Sequence, residues 1–105
     1  MTTFDKREEG FEKQFAHDEE LKFKADARRN RLLGAWVAEQ IGLSGDAATT
    51  YAKQMVAAEF EGTGGAARKA AADLAAKGIT VSEPQLQAKI VELTTLAIAQ
   101  VKAGK

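Results

Sequence analysis

Sixteen of the first 31 residues are charged, eight basic and eight acidic, whereas the following 74 carry only seven of each sign. A segment this charged cannot bury enough apolar surface to offset the entropy lost on ordering it. The hydrophobic core therefore has to come from the later residues, and their composition makes it helical. Alanine, the strongest helix former, supplies a fifth of the chain, β-branched residues are few, and there is a single proline. The expected fold is all-α: a small four-helix bundle over residues 18–105, preceded by a mobile N-terminal arm over residues 1–17.

Helical periodicity places the elements. The first helix is predicted to begin near Asp18, an N-cap residue type with Glu19 and Glu20 favourably placed behind it. It runs to about Ile41, where Gly42 can adopt the left-handed terminal conformation. Leu32, Leu33, Trp36, Val37 and Ile41 form its apolar positions, and Trp36 is expected to anchor the core against helices 2 and 4. After Ser44-Gly45-Asp46, a second helix presents Ala48, Tyr51, Ala52, Met55, Val56 and Phe60 on one face. Glu61-Gly62-Thr63-Gly64-Gly65 breaks it. A third helix over about 66–77 offers Ala67, Ala70, Ala71, Leu74 and Ala75 and stops at Gly78. The fourth opens with a capping-box pattern, Ser82 and Gln85, with Pro84 in its first turn. Leu86, Ile90, Leu93, Ala97 and Val101 line its buried face.

Catalysis has few groups to work with. There are no cysteines, His17 is the one histidine, and the two serines, Ser44 and Ser82, sit in turn or cap positions. Nucleophile–base pairs and histidine-rich metal sites are not available, so neither an enzyme nor a metalloprotein is expected. Zero net charge gives no broad footprint for nucleic acid. No apolar run approaches the roughly 18 residues that span a bilayer, and no secretion-signal core is seen near the N-terminus. A soluble, cytoplasmic chain, monomeric when free, is the expectation.

Three features could bind something. Gly62-Thr63-Gly64-Gly65 leads into a helix carrying Arg68 and Lys69, and a glycine-rich turn at a helix N-terminus can cradle phosphate. Gly64, Gly65, Arg68 and Lys69 thus form a weak candidate site for the phosphates of a nucleotide such as ATP or ADP, although the Gly-Lys-Ser/Thr ending and a preceding strand are missing. Arg28, Arg29 and Arg31 make a basic cluster that is either a solvated face or a docking patch. His17 is either a solvated boundary residue or a pH-sensitive joint.

The third of the binding features, beside the glycine-rich turn and the arginine cluster, is the placement of phenylalanine. Four of the five, Phe4, Phe11, Phe15 and Phe23, fall among the charged residues. On a helix, Phe4, Phe11 and Phe15 project within about 40° of one another. The stripe could fold back on the bundle. Gly10 interrupts it, however, and charges crowd both its sides, which suits an arm that docks as an amphipathic helix in a partner's groove.

The run Phe11-Glu12-Lys13-Gln14-Phe15-Ala16-His17-Asp18-Glu19-Glu20-Leu21 continues through Lys22-Phe23-Lys24-Ala25. With Ala27-Arg28-Arg29-Asn30-Arg31-Leu32-Leu33-Gly34 it resembles the signature of the zeta subunits of α-proteobacterial F-type ATP synthases. The resemblance extends over the whole chain, including Tyr51-Ala52, Val56 and the Gly78 region. It implies a four-helix regulatory protein that inhibits ATP hydrolysis and associates peripherally with the membrane-bound enzyme. It further implies that the N-terminal arm enters an interface of the catalytic sector, formed by the alpha, beta and gamma subunits. Mapped onto this chain, the arm is Phe4 through about Ala16, with Phe4, Arg7, Phe11 and Phe15 as contacts and Arg28 and Arg29 as further partner-binding candidates. Purine-nucleotide binding, proposed for some members, is the alternative role the resemblance leaves open.

Overall fold

The computed structural model describes the backbone of residues 2–62 and 64–104, and side chains within those bounds from residue 19 onward. Four helices are present among these residues: α1 (Thr2–Gln40), α2 (Gly45–Phe60), α3 (Gly65–Ala76) and α4 (Glu83–Lys102). The all-α, four-helix expectation holds. The long α1 packs on both α2 and α4, while α3 rests mainly on α2 and meets α4 only marginally.

The start of α1 differs from the sequence expectation. It begins at Thr2, and Asp18 lies inside the helix instead of capping it. The reason is local propensity. No proline occurs before position 84, and Gly10 is the one glycine before position 34. A single helical glycine costs about 1 kcal/mol and does not stop a helix. The glutamates, lysines, arginines and alanines around it are good helix formers, and Glu9/Lys13 and Asp18/Lys22 have supportive i,i+4 spacing. The helix is therefore unbroken across the 17/18 boundary at which the sequence divides arm from domain.

The predicted stops appear where glycine allows them. At the end of α1, Gly42 has φ +85°, the Leu43 amide donates to the Ala38 carbonyl and the Gly42 amide to that of Glu39. The same pair of bonds closes α3, from Ile79 to Leu74 and from Gly78 to Ala75. Both are Schellman closures, which need a left-handed residue at the glycine position. The capping box of α4 is complete: the Gln85 amide donates to Ser82 Oγ at 3.2 Å, and the Ser82 amide donates to Gln85 Oε1 at 2.9 Å.

Leu33, Val37, Met55 and Leu74 are the largest fully buried side chains. Ala38, Tyr51, Ala66, Ala70, Leu86 and Leu93 complete the cluster around them. Three expectations about the core are corrected. Trp36 lies at the edge of the cluster, half-buried, with Lys89 Nζ 5.5 Å from its ring centroid. One residue of helical rotation separates it from Val37, which takes the central place. Phe60, the last residue of α2, is 71% exposed. In α3 the buried face is Ala66, Ala70 and Leu74, while Ala71 and Ala75 face solvent.

Alanine and glycine set the spacing of the helices. A Cβ built on Gly34 would stand 2.6 Å from the Ala52 Cα, so α1 and α2 touch backbone to backbone at this point. Small residues allow that approach, and it brings Leu33 and Val37 within reach of Met55.

Candidate functional site

The expected arm contacts Phe4, Arg7, Phe11 and Phe15, and with them His17, lie outside the residues whose side chains are described. Their backbone belongs to α1. The remaining candidates can be located, and the structure separates them into three places.

The first is the glycine-rich turn. Its backbone donors already have an acceptor. The Gly64 amide donates to Glu59 Oε1 at 2.8 Å, and the Ala66 amide donates to Glu59 Oε2 at 3.2 Å. Glu59, from the last turn of α2, thus places its carboxylate at the N-terminus of α3, where helix amides attract an anion. A nucleotide phosphate at this turn would have to displace Glu59. Gly65 is held tightly, since a Cβ there would collide with the Ala58 carbonyl oxygen. Lys69 points elsewhere: its Nζ lies 3.1 Å from Asp73 Oδ2 and 5.0 Å from the Tyr51 ring centroid. Arg68 is exposed beside the glycines. The four nucleotide candidates are therefore neighbours along the chain without forming one set of convergent donors.

The second place is the Tyr51–Asp73–Lys69 clamp between α2 and α3. The Tyr51 hydroxyl donates to Asp73 Oδ2 at 2.5 Å. Burial, with the hydrogen bond to Asp73 and its negative charge behind it, pushes the phenol well above its ordinary value. Burial alone would raise the Asp73 carboxyl, but hydrogen bonds from Tyr51 and Lys69 and the Lys69 charge outweigh it and hold the carboxyl below its usual range. Tyr51 and Lys69 both find their partner, Asp73, within the fold, which marks the clamp as structural.

The third place is the surface where α1, the end of α2 and the end of α4 meet. The arginine cluster divides there. Arg29 is turned towards its own helix, with Nη1 3.4 Å from Asp26 Oδ1 and Nε donating to the buried Asn30 at 3.2 Å. Arg28 and Arg31 line a groove of about 440 Å³ together with Leu21, Lys24, Val56 and Val101. Arg28 donates to Gln100 Oε1 at 3.0 Å, which ties α1 to α4. At the rim Phe23, 63% exposed, meets the exposed Phe60, their ring centroids 6.5 Å apart. Sequence reasoning misses this pair, because Phe60 falls in register with the apolar face of α2 and Phe23 stands among charged residues with no partner in view. Both flank strongly charged residues at helix positions away from the core face, and that was the only available signal.

Among the described residues no three potential metal ligands converge, and no helix is long and apolar enough to cross a membrane. The described residues thus form a small helical domain with one long charged helix and an exposed aromatic–basic groove. The family described as ATPase inhibitor subunit zeta matches residues 1–100, and the chain belongs to it. No curated protein matches the chain in sequence.

Proposed function

We propose that this chain is a regulatory subunit that inhibits ATP hydrolysis by the F-type ATP synthase. Its arm, Phe4 through Ala16, inserts as a helix at a catalytic interface of the alpha, beta and gamma subunits. The observation that carries the reading is the family match, which includes the arm as well as the domain. A rotary ATPase has to open and close its catalytic interfaces to turn over. A helix wedged in one of them blocks that motion without altering the chemistry, and needs only aromatic anchors with compatible charges around them.

The continuity of α1 supports the same reading energetically. A short isolated helix is limited by nucleation, whereas a segment growing from an existing helix only has to propagate. Residues 2–17 share one helix with the packed residues 25–38, so the domain acts as the nucleus for the arm. The cost of ordering the arm on binding falls accordingly. In this role the protein sits peripherally on the membrane-bound enzyme, on its cytoplasmic side.

The test is an ATPase assay of the cognate catalytic sector with the intact chain and with the chain lacking residues 1–17. Inhibition by the intact chain alone is expected. Equal inhibition by both would overturn the arm as the determinant, and inhibition by neither would overturn the function.

A further inference from the structure

We propose that the groove of Leu21, Lys24, Arg28, Arg31, Val56 and Val101, rimmed by Phe23 and Phe60, is a second docking surface, which takes an acidic, apolar-bearing protein segment. This inference rests on the inhibitor reading: the segment belongs to the outer surface of the catalytic sector that receives the arm.

Chemistry selects the occupant. Lys24, Arg28 and Arg31 line the groove, and no Asp or Glu side chain is among its described lining residues. Glu20 sits 3.5 Å from Lys24 with both side chains more than half exposed, a pair that opens at little cost. Leu21, Val56 and Val101 make the floor apolar. The two phenylalanines expose most of their surface although a core lies one helix face away. Exposed aromatic pairs beside basic side chains are the composition of binding anchors.

Charge along α1 separates this surface from the arm. Residues 1–17 contain four acidic and three basic side chains, whereas residues 21–31 contain five basic and one acidic. The basic excess of this part of the sequence therefore falls on the groove segment and not on the arm, so the groove is the part that calls for an acidic partner. The arm supplies the block, and the groove supplies residence time and orientation. Because three helices form a concave surface here, it suits a protein segment better than a lipid surface, which favours a single amphipathic helix lying flat.

The experiment uses the full chain and the isolated catalytic sector. Three variants are compared with the parent: Phe23→Ser/Phe60→Ser, Lys24→Glu/Arg31→Glu, and the arm variant Phe11→Ala/Phe15→Ala. Because the groove side chains are exposed, their replacement should leave the melting temperature unchanged, which verifies folding. Both groove variants should dissociate about tenfold faster or more, while inhibition at saturating concentration stays complete. The charge-reversed variant should also lose most of the parent's salt dependence. The arm variant should lose inhibition and keep salt-sensitive binding. Parental dissociation rates and salt dependence in both groove variants would overturn the proposal while leaving the arm reading intact. Undiminished inhibition by the arm variant would instead sink the arm reading. Two further controls identify a different occupant, and either overturns the proposal. One is groove-dependent binding to vesicles containing anionic lipid with no change on the catalytic sector, and the other is a groove-dependent dimer in sedimentation equilibrium.

Discussion

The Tyr51 hydroxyl and the Asp73 carboxylate, 22 positions apart in sequence, meet at 2.5 Å and fasten α3 to α2. Since α3 contributes few other large side chains than Leu74, this bond carries an appreciable part of its attachment. Its pH signature follows from the two shifts. The Asp73 carboxyl is depressed in the folded protein, so its stabilisation is present above the ordinary carboxylate range and is lost as pH falls through the folded value. The Tyr51 phenol is raised, so its stabilisation is present below the ordinary tyrosine pKa of about 10 and is lost as pH rises beyond it. Tyr51→Phe should destabilise the fold by about 1–3 kcal/mol at neutral pH and flatten both limbs. Urea denaturation across pH checks this, and an unchanged alkaline limb in the variant would refute the assignment.

Gly34 and Ala52 make the closest approach between α1 and α2. Gly34→Ala improves helix propensity by about 1 kcal/mol, yet it drives a methyl group against a backbone atom that no rotamer change can move. Overpacking of this kind costs about 1–3 kcal/mol, and the clash should dominate. The melting temperature is expected to fall by several degrees. Adding Ala52→Gly should not restore it, because the obstructing atom is the Cα and not the side chain. A stabilised Gly34→Ala variant would mean that the helices are further apart.

Trp36 and Leu33 invert the ranking that size suggests. Trp36→Ala removes the larger side chain, but one that is half-buried at the rim of the cluster, and should cost about 1–2 kcal/mol. Leu33→Ala empties a site that is 1% exposed and should cost about 2–5 kcal/mol. Chemical denaturation of the two variants measures the order directly. A larger loss at Trp36 would place the indole in the core after all.

How much of this was legible in the sequence depended on whether the signal was local. The Ser82/Gln85 box and the Gly42 and Gly78 stops involve residues within one turn, and the structure has all of them. The buried face of α3 was harder, because alanines surround most of that helix and Ala66 and Ala67 look alike to a periodicity argument. Asp18 misled for the opposite reason: a cap residue type is only a preference, and helix-forming neighbours on both sides override it. Phe60 followed the apolar face of α2 in register, but α2 ends there, beyond the residues that cover it. Of the groove only the basic cluster at Arg28 and Arg31 was legible, since Phe23, Arg31, Val56 and Val101 come together only when three helices meet.

Glu59 serves as the N-terminal cap of α3 from outside that helix. Glu59→Ala leaves the Gly64 and Ala66 amides without their acceptor and should cost about 1 kcal/mol, as loss of an ordinary cap does. Glu59→Gln keeps one acceptor oxygen and should cost less. The same contact bears on nucleotide binding. In the parent protein, ADP titration followed by amide NMR should leave Gly64 and Ala66 unmoved, because the carboxylate occupies their donors and repels phosphate. Saturable shifts centred on these two amides would show that Glu59 yields its place and would revive the glycine-rich turn as a nucleotide site.

The arm prediction separates an inhibitor from a generic helical bundle. If Phe11 and Phe15 are partner anchors on the leading part of α1, they add nothing to the core built from Leu33, Val37, Met55 and Leu74. Phe11→Ala/Phe15→Ala should then leave the melting temperature within about a degree of the parent, as surface substitutions do. On the catalytic sector the same variant should inhibit far more weakly. Loss of a buried aromatic anchor costs about 2 kcal/mol or more, roughly thirtyfold in affinity apiece. If the stripe instead packs on the domain, the pattern reverses, with stability falling and inhibition surviving at low temperature. One double mutant, one melting curve and one inhibition titration therefore decide between them. A lowered melting temperature with undiminished inhibition would falsify the assignment of the arm, and no change in either would move the inhibitory determinant to the Phe23–Phe60 groove.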